Sequence, residues 1–339
     1  MSIEHQVDLL PYNTFGISHK ANYFIEIHSV EEAQELFRSD VFKTNQHLFL
    51  GGGSNILLTK DFDGLVIKVS ILGKEIIGED ENTITLKVSA GENWHDVVRY
   101  CVDKNWGGLE NLSLIPGTVG AAPIQNIGAY GVEIEKNIFE VETVEISTGK
   151  TKTYMHDECH FGYRESVFKT KLKDQFLISS ITLTLTKKNH LLHINYGAIA
   201  DTLLQNGIKN ISIRDVSDAV IQIRSSKLPD PKKIGNAGSF FKNPSIQNDL
   251  HDFLKTQYTS MPSFPTQNGL VKIPAAWLIE QCGWKGNKIN NIGVHQHQAL
   301  VLVNYGGGSG EEIWNLAMKI QASVKEKFDI TLQPEVNIL

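Results

Sequence analysis

Two glycine-rich stretches are the residues whose types and spacing first suggest chemistry. One is Gly51-Gly-Gly-Ser-Asn55, and the other runs from Ile115 to Gly131. Glycine lets a backbone approach a ligand closely and aim successive N–H groups at an anion, and a diphosphate needs many such donors. The two stretches together favour a diphosphate site, although a tight turn between strands explains the first one equally well. Neither has the Rossmann or the P-loop pattern, so we predict neither kind of nucleotide site.

Ser239 and Glu335 are polar residues in otherwise apolar surroundings. Ser239 follows Gly-Asn-Ala-Gly and precedes two phenylalanines. Either its hydroxyl satisfies local backbone groups in a turn, or an apolar cleft holds it for chemistry. Glu335 lies in an apolar segment that we predict to be a short terminal strand. A buried carboxylate needs a partner, and Arg164 or Lys285 could supply one.

Basic side chains concentrate on both sides of Ser239, although the chain is acidic overall. They are Arg224, Lys227, Lys232, Lys233 and Lys242. An anionic ligand would have to be met by such a local basic pocket. For Lys232 and Lys233 a solvated surface explains the charge, and we assign them no function.

Two histidine pairs have spacings that metal sites use. His156 and His160 have the spacing of a zincin helix, but Asp157 stands where that motif needs Glu. His295 and His297 would share one face of a strand, and no third ligand is suggested nearby. We therefore predict no metal site.

Helix caps and hydrophobic periodicity predict the elements that position these residues. Capping boxes at Ser29 and Ser309 begin amphipathic helices. Asn93 caps a third helix, whose apolar spacing puts Cys101 on the buried face. Apolar or alternating runs predict strands around residues 47–50, 84–88, 141–146, 152–154 and 181–185. Helices and strands together predict an α+β protein.

Length and composition indicate a globular protein of more than one domain. The 339 residues exceed what one core usually fills, and 41% hydrophobic with 21% charged residues exclude a disordered or collagen-like chain. The net charge of −6 gives no overall attraction to nucleic acid or anionic membranes. The three cysteines are far apart, and neither a secretory signal nor a membrane-length apolar run is visible. We expect a cytoplasmic protein.

Several motifs together resemble one family, UDP-N-acetylenolpyruvoylglucosamine reductase. The stretch from Ile115 to Gly131, Phe161-Gly-Tyr-Arg-Glu-Ser166, and Gly-Asn-Ala-Gly-Ser-Phe-Phe-Lys-Asn-Pro ending at Pro244 carry the resemblance. Further motifs fit in the same order: Asn13–Gly16, Gly51–Asn55, Ala90–Trp94 and Gln333–Glu335. The resemblance spans essentially the whole chain. It implies a flavoenzyme that completes UDP-N-acetylmuramate in bacterial peptidoglycan synthesis.

The resemblance also implies a fold and a cofactor. A two-lobed FAD-binding domain of the vanillyl-alcohol-oxidase (PCMH) type is expected over residues 17–190, with lobes of about 17–70 and 71–190. A substrate-binding α+β domain over 225–328 and a terminal strand over 329–339 follow. FAD would bind non-covalently. Its expected contacts are Gly51, Gly52, Gly53, Ser54, Asn55, Ile115, Pro116, Gly117, Gly120, Ala121 and Gly128.

The implied reaction is ping-pong. NADPH, the co-substrate, reduces the flavin and leaves, and the reduced flavin then passes hydride to the enolpyruvyl ether of UDP-N-acetylglucosamine enolpyruvate. Hydride addition builds an enolate-like anion, so cations and acids must surround the substrate carboxylate. By resemblance, Arg164 and Glu335 polarise that carboxylate, and Ser239 donates the proton to the adjacent carbon.

The same matching places further residues around the uridine, diphosphate or sugar. They are Tyr163, Tyr196, Lys227, Asn243, Lys285 and Gln298. Tyr196 resembles the substrate-clamping tyrosine of the family's longer variant. The expected partners are small molecules only, without nucleic acid or membrane, and the chain is expected to act as a monomer. The alternatives are a related flavin oxidase, which would need a base rather than a proton donor, and a catalytically idle nucleotide-sugar sensor.

Overall fold

The computed structural model describes residues 2–266 and 269–339 of the chain. They form two compact units. Unit 1 comprises the described part of Met1–Val7 together with Ala21–Gly52 and Asp63–Arg224. Unit 2 comprises Asp8–Lys20, Gly53–Phe62 and the described part of Ser225–Leu339. Each unit is therefore assembled from separate segments of the chain.

The helices begin where their capping residues predict. Ser29, Asn93 and Ser309 each accept a backbone N–H bond from the first helical turn, so these caps are confirmed. The helices are α1 (Val30–Arg38), α2 (Asp40–Thr44), α3 (Trp94–Asp103), α4 (Ile199–Gln205), α5 (Ile213–Lys227), α6 (Asn248–Gln257), α7 (Ala275–Gln281) and α8 (Gly310–Phe328). Within the described ranges, none of them is long and apolar enough to cross a membrane.

The strands range from two to eleven residues and lie in several sheets. In the first half of the chain they are β1 (Glu4–Asp8), β2 (Lys20–Ile27), β3 (His47–Leu50), β4 (Ile56–Leu57), β5 (Phe62–Val69), β6 (Lys74–Glu79), β7 (Thr83–Ser89), β8 (Gly128–Ala129), β9 (Val132–Glu133) and β10 (Ile138–Glu145). They continue with β11 (Thr151–Met155), β12 (Phe176–Thr186), β13 (Gly235–Ser239), β14 (Ser245–Ile246), β15 (Phe264–Pro265), β16 (Val271–Lys272), β17 (Lys288–Ile289), β18 (Ile292–Val294), β19 (Val301–Asn304) and β20 (Asn337–Ile338).

Unit 1 is built around a sheet of order β11-β10-β12-β7-β6, whose neighbouring strands are antiparallel. Alternation along β7 buries Ile84, Leu86 and Val88, which pack with α3 in one core cluster. Cys101 of α3 is fully buried, as its spacing predicts, and burial raises the pKa of its thiol to about 12. It is therefore a core residue and not a reagent. A second sheet, of order β1-β2-β5-β3, packs with α1.

Unit 2 contains the antiparallel sheet β13-β19-β18-β17 and the buried face of α8. Its terminal strand is shorter than predicted. Only Asn337–Ile338 pairs as a strand, in parallel with β4, and Glu335 lies before it. The reason is Pro334, which has no N–H to donate and makes only an isolated bridge to Phe241.

Candidate active site

The structure brings the two glycine-rich stretches together within unit 1. A Cβ added to Gly51 would lie 2.4 Å from Thr118 Oγ1, and one added to Gly52 would lie 2.9 Å from the Cα of Gly117. Any larger residue would push the two loops apart. Gly52 is therefore required by the close approach of the Gly117 backbone, and Gly51 by the Thr118 side chain.

The second glycine-rich stretch packs against a third motif, Ala90–Trp94. The backbone N–H groups of Val119 and Gly120 donate to the carbonyls of Glu92 and Ala90, both at 2.9 Å. A Cβ on Gly120 would lie 2.6 Å from the Ala90 Cβ. The segment Ala90–Trp94 is thus the surface against which residues 117–120 are fixed.

The rest of the first glycine-rich stretch belongs to unit 2. Gly53 has a left-handed backbone with φ of 60°, and a Cβ there would lie 1.9 Å from the carbonyl oxygen of Tyr12. The Nδ2 of Asn55 donates to the carbonyl oxygen of Glu335 at 3.3 Å. A predicted cofactor residue and a predicted catalytic residue therefore contact each other through the backbone of Glu335.

Non-glycine residues around the second stretch adopt left-handed backbone conformations. They are Leu114 (φ 58°), Asn126 (φ 43°), Tyr130 (φ 51°) and Arg164 (φ 58°). Such conformations cost about 1–3 kcal/mol each and concentrate at functional sites. Because these residues are not glycines, their types gave no sign of this in the sequence.

Arg164 is anchored to the second glycine-rich stretch. Its Nη2 donates to the carbonyl of Gly128 at 2.7 Å and its Nη1 to the carbonyl of Asn126 at 3.3 Å. Burial and the neighbouring Glu135 raise the pKa of Glu133, and the charge of Arg164 opposes that shift. The guanidinium is thus held in one orientation by the loop predicted to bind the cofactor.

Ser239 and Glu335 are neighbours in unit 2. The backbone N–H of Glu335 donates to the carbonyl of Phe240 at 2.8 Å, and that of Lys242 donates to Gln333 at 2.9 Å. Ser239 is exposed at the end of β13, and among the described residues its hydroxyl has no hydrogen-bond partner. It therefore does not serve the local backbone, which was one of its two interpretations.

Gln298 and Asn243 lie close to this pairing. The Leu300 carbonyl accepts from the Phe240 N–H at 2.8 Å, and the Leu300 N–H donates to Gln298 Oε1 at 3.3 Å. Asn243 Oδ1 accepts from the N–H of Ala275, the first residue of α7, at 2.9 Å. The loop that carries Gln298 therefore pairs with Phe240, the residue after Ser239.

The other residues predicted to bind substrate have exposed side chains. Tyr163 is 54% exposed and Tyr196 is 59% exposed. The ring of Tyr196 meets that of Tyr130 edge to face, with centroids 6.5 Å apart. Lys227 is exposed at the end of α5. Lys285 pairs with Glu280 at 2.7 Å, so its partner is not Glu335.

Sequence reasoning missed Lys68 and Thr118. Lys68 Nζ donates to the carbonyl of Gly51 at 2.9 Å, and burial lowers its pKa. Thr118 contacts Gly51. A lysine within the apolar run at the end of β5, residues 65–69, was the available signal for the first. We call the contact between Gly51–Gly52 and Gly117–Thr118 the glycine cradle. With the Lys68 ammonium beside it, the glycine cradle fits a dinucleotide such as FAD, whose diphosphate needs backbone donors and positive charge.

Both halves of the chain match known domain families. Residues 21–154 match an FAD binding domain, and residues 230–339 match the UDP-N-acetylenolpyruvoylglucosamine reductase C-terminal domain. The UDP-N-acetylenolpyruvylglucosamine reductase (MurB) of Thermus caldophilus is similar with a TM-score of 0.70 at 21% identity, over 100% of this chain and 99% of that one. A solvent-stable cholesterol oxidase gives a TM-score of 0.50 at 10% identity, over 98% and 86% of the two chains.

These matches define a flavoprotein with an FAD-binding domain of the vanillyl-alcohol-oxidase type and a separate C-terminal domain, which confirms the predicted α+β fold. The UDP-N-acetylenolpyruvoylglucosamine reductase of Flavobacterium johnsoniae is 49% identical over 339 residues, covering 100% of both chains. The chain belongs to the UDP-N-acetylenolpyruvoylglucosamine reductase family. It is a flavin-dependent oxidoreductase, so the family predicted from the motifs is confirmed.

Proposed function

We propose that this enzyme uses NADPH to reduce UDP-N-acetylglucosamine enolpyruvate to UDP-N-acetylmuramate by a ping-pong mechanism. The observation that carries the proposal is the backbone bond from Glu335 to Phe240, because it brings Glu335 next to the residue that follows Ser239. Membership of the family supplies the substrate class.

FAD would be held non-covalently by the glycine-rich stretches, and it would supply the hydride transfer chemistry. The chain's own residues bind and orient the substrate. Arg164 provides the cation for the substrate carboxylate, and its bonds to the carbonyls of Asn126 and Gly128 fix its direction. Fixed charges of this kind stabilise the anion that develops at the transition state without having to reorganise.

Ser239 donates the proton to the carbon next to the carboxylate. A hydroxyl is a weak acid, so this role requires close placement and a strongly basic carbanion. Ser239 Oγ has no competing partner among the described residues, which leaves its proton available. Glu335 polarises the same carboxylate as Arg164.

Further residues bind the rest of the substrate. Tyr163, Tyr196, Lys227, Asn243, Lys285 and Gln298 would contact its uridine, diphosphate or sugar. Tyr196 and Lys227 have exposed polar ends that could close on a ligand without unfolding a core. We propose a cytoplasmic monomer that binds small molecules only.

Flavin absorbance under anaerobic conditions tests the proposal in one cuvette. NADPH should bleach the yellow band, and UDP-N-acetylglucosamine enolpyruvate should restore it. Recovery only when air is admitted would instead indicate an oxidase. A protein that binds the UDP-sugar but never oxidises NADPH would be a sensor, and either result would overturn the proposal.

A further inference from the structure

Asn126 is an asparagine of the second glycine-rich stretch, and its side chain is fully buried. Its Nδ2 donates to the carbonyl of Gly162 and to Oε2 of Glu133, both at 3.1 Å. Its Oδ1 accepts the backbone N–H of Glu135 at 3.2 Å. A buried amide costs free energy unless it is hydrogen-bonded. The nitrogen and the oxygen of this amide are both used to hold neighbouring segments.

One of these segments is the tight turn that carries Arg164. The backbones of Gly162 and Glu165 pair with each other, with N–H to carbonyl distances of 3.0 and 3.1 Å. We call residues 162–165 the arginine turn. Arg164 lies inside it with a left-handed φ of 58°. Because Asn126 binds the carbonyl of Gly162, its amide holds the first residue of the arginine turn.

The main chain of Asn126 contacts the same arginine. Its carbonyl oxygen accepts a hydrogen bond from Arg164 Nη1 at 3.3 Å. Two further bonds hold the segment that follows. Lys169 Nζ donates to the Arg164 carbonyl at 3.0 Å. Ser166 Oγ donates to the carbonyl of Ile124 at 2.7 Å. Asn126 is thus the residue that contacts both the backbone of the arginine turn and the guanidinium.

A negative charge lies close to that guanidinium. A Cβ on Gly128 would lie 2.8 Å from Glu133 Cγ and 3.2 Å from Arg164 Nη1, so the two side chains flank the same glycine. Burial and Glu135 raise the pKa of the Glu133 carboxyl, and the charge of Arg164 and the bond from Asn126 oppose that shift. The Asn126 amide therefore orients the carboxyl beside Arg164 as well as the turn that carries it.

The left-handed backbone of Asn126 does not explain its side-chain bonds. Its φ is 43°, and asparagine adopts such conformations more readily than most residues. Asn105, after α3, is also left-handed, with φ of 58°, but it is exposed. Its side chain makes one long bond among the described residues, 3.4 Å to the carbonyl of Lys187. Conformation accounts for Asn105, whereas Asn126 has three bonds beyond it.

We propose that Asn126 is a positioning residue for reduction of the UDP-sugar, because its side chain holds the arginine turn and so sets where the Arg164 guanidinium meets the substrate carboxylate. The inference rests on the proposed function, in which Arg164 supplies that cation. A displacement of about 1 Å at a reacting group can slow a reaction by about 100-fold. A buried amide that touches no substrate can therefore control the rate.

Asn126→Gly tests the inference, because glycine adopts a left-handed backbone without strain and only the amide is lost. Asn126→Asp is a second variant, which keeps the side-chain shape but loses both donated bonds. Asn105→Gly is the matched control. The flavin of each protein is reduced chemically, without NADPH, and mixed anaerobically with saturating UDP-sugar. Stopped-flow absorbance follows its reoxidation, and titration of the flavin-free chain measures the affinity for oxidised FAD.

Both Asn126 variants should be reoxidised about 10- to 100-fold more slowly than the unmodified protein, with little change in affinity for oxidised FAD. The slowing should persist at saturating UDP-sugar, because the position of the guanidinium has changed and not the occupancy of the site. Asn105→Gly should match the unmodified protein. An unchanged rate for Asn126→Gly would overturn the inference. A loss confined to FAD affinity would assign Asn126 to the cofactor and overturn it too.

A double-mutant cycle with Arg164→Gln separates positioning from a general structural role, because residues that act through one another are not additive. In the Arg164→Gln protein, adding Asn126→Gly should slow reoxidation by no more than about twofold further. If the two effects multiplied in full, Asn126 would act independently of Arg164 and the inference would be wrong. If Arg164→Gln alone left the rate unchanged, the error would lie in the proposed role of Arg164, and the inference would fall with it.

Discussion

The glycine-rich stretches of unit 1 and the Ser239 region of unit 2 are built in different ways. The first uses backbone: Gly51, Gly52 and Gly120 allow loops to touch where any Cβ would collide. The second brings together three separate segments, which pair through their backbones around Phe240 and carry the candidate side chains. A site built from backbone can be recognised in the sequence, because it needs glycines at particular positions. A side-chain site assembled from distant segments leaves almost no local pattern.

Among changes that distinguish the two regions, Ser239→Ala should have the largest effect on the reaction rate. Loss of a positioned proton donor should slow substrate reduction by about 10²–10⁴-fold while flavin reduction by NADPH is unchanged. Stopped-flow absorbance measures the two half-reactions separately. Ser245→Ala, at an exposed position of β14, is the matched control. Equal slowing of both half-reactions would remove Ser239 from the role of proton donor.

Glu335→Gln should have the next largest effect. The variant keeps the backbone bond to Phe240 and changes only the side-chain charge. Loss of one group that stabilises the developing anion should slow substrate reduction by roughly 10²–10³-fold and spare the NADPH step. The same stopped-flow experiment measures both rates. Unchanged turnover with the UDP-sugar would exclude Glu335 from the mechanism.

Gly52→Ala should affect the backbone region and not the Ser239 region. The new Cβ would lie 2.9 Å from the Cα of Gly117, so the two loops must separate. Overpacking of this kind costs about 1–3 kcal/mol, which corresponds to roughly 5- to 150-fold weaker FAD binding. Fluorescence titration of the flavin-free chain measures it.

Gly78→Ala is the matched control for Gly52→Ala. A Cβ on Gly78 in β6 would make an ordinary 3.4 Å contact with Thr85, so FAD binding should be unchanged. If Gly52→Ala bound FAD as tightly as this control, the glycine cradle would not be the cofactor site.

Tyr196→Phe should have the smallest effect. The phenylalanine ring can keep the edge-to-face contact with Tyr130, so only the hydroxyl is lost. Losing one hydrogen bond to a charged substrate group costs about 1.5–3 kcal/mol, so the KM for the UDP-sugar should rise about tenfold or more. Steady-state kinetics measure it, with Tyr305→Phe as control. Loss of flavin instead would mean that Tyr196 serves the cofactor.

The elements that the sequence predicts are those whose signals are local. The caps at Ser29, Asn93 and Ser309 act on N–H groups within three residues, so type and spacing suffice. Helix α7 has no such signal. It follows Pro274, and the first N–H of the helix is satisfied by Asn243, a residue from a distant segment.

The terminal strand shows the same limit. Its apolar residues predict pairing through Glu335, but a partner strand decides which residues pair. Pro334 cannot donate, and Glu335 bonds to Phe240 and not to β4. Only Asn337–Ile338 therefore form the strand.

The sequence by itself determined the glycine positions, the helix caps, the buried face of α3 and, through its motifs, the family. These depend on steric limits and hydrogen bonds that act within a few residues. Only the tertiary structure decided that Glu335 bonds to the residue after Ser239, and that the Nε of Arg224 is buried with no hydrogen-bond partner among the described residues. Both depend on where distant segments return, because a charge or a hydroxyl has no defined surroundings until the chain around it has folded.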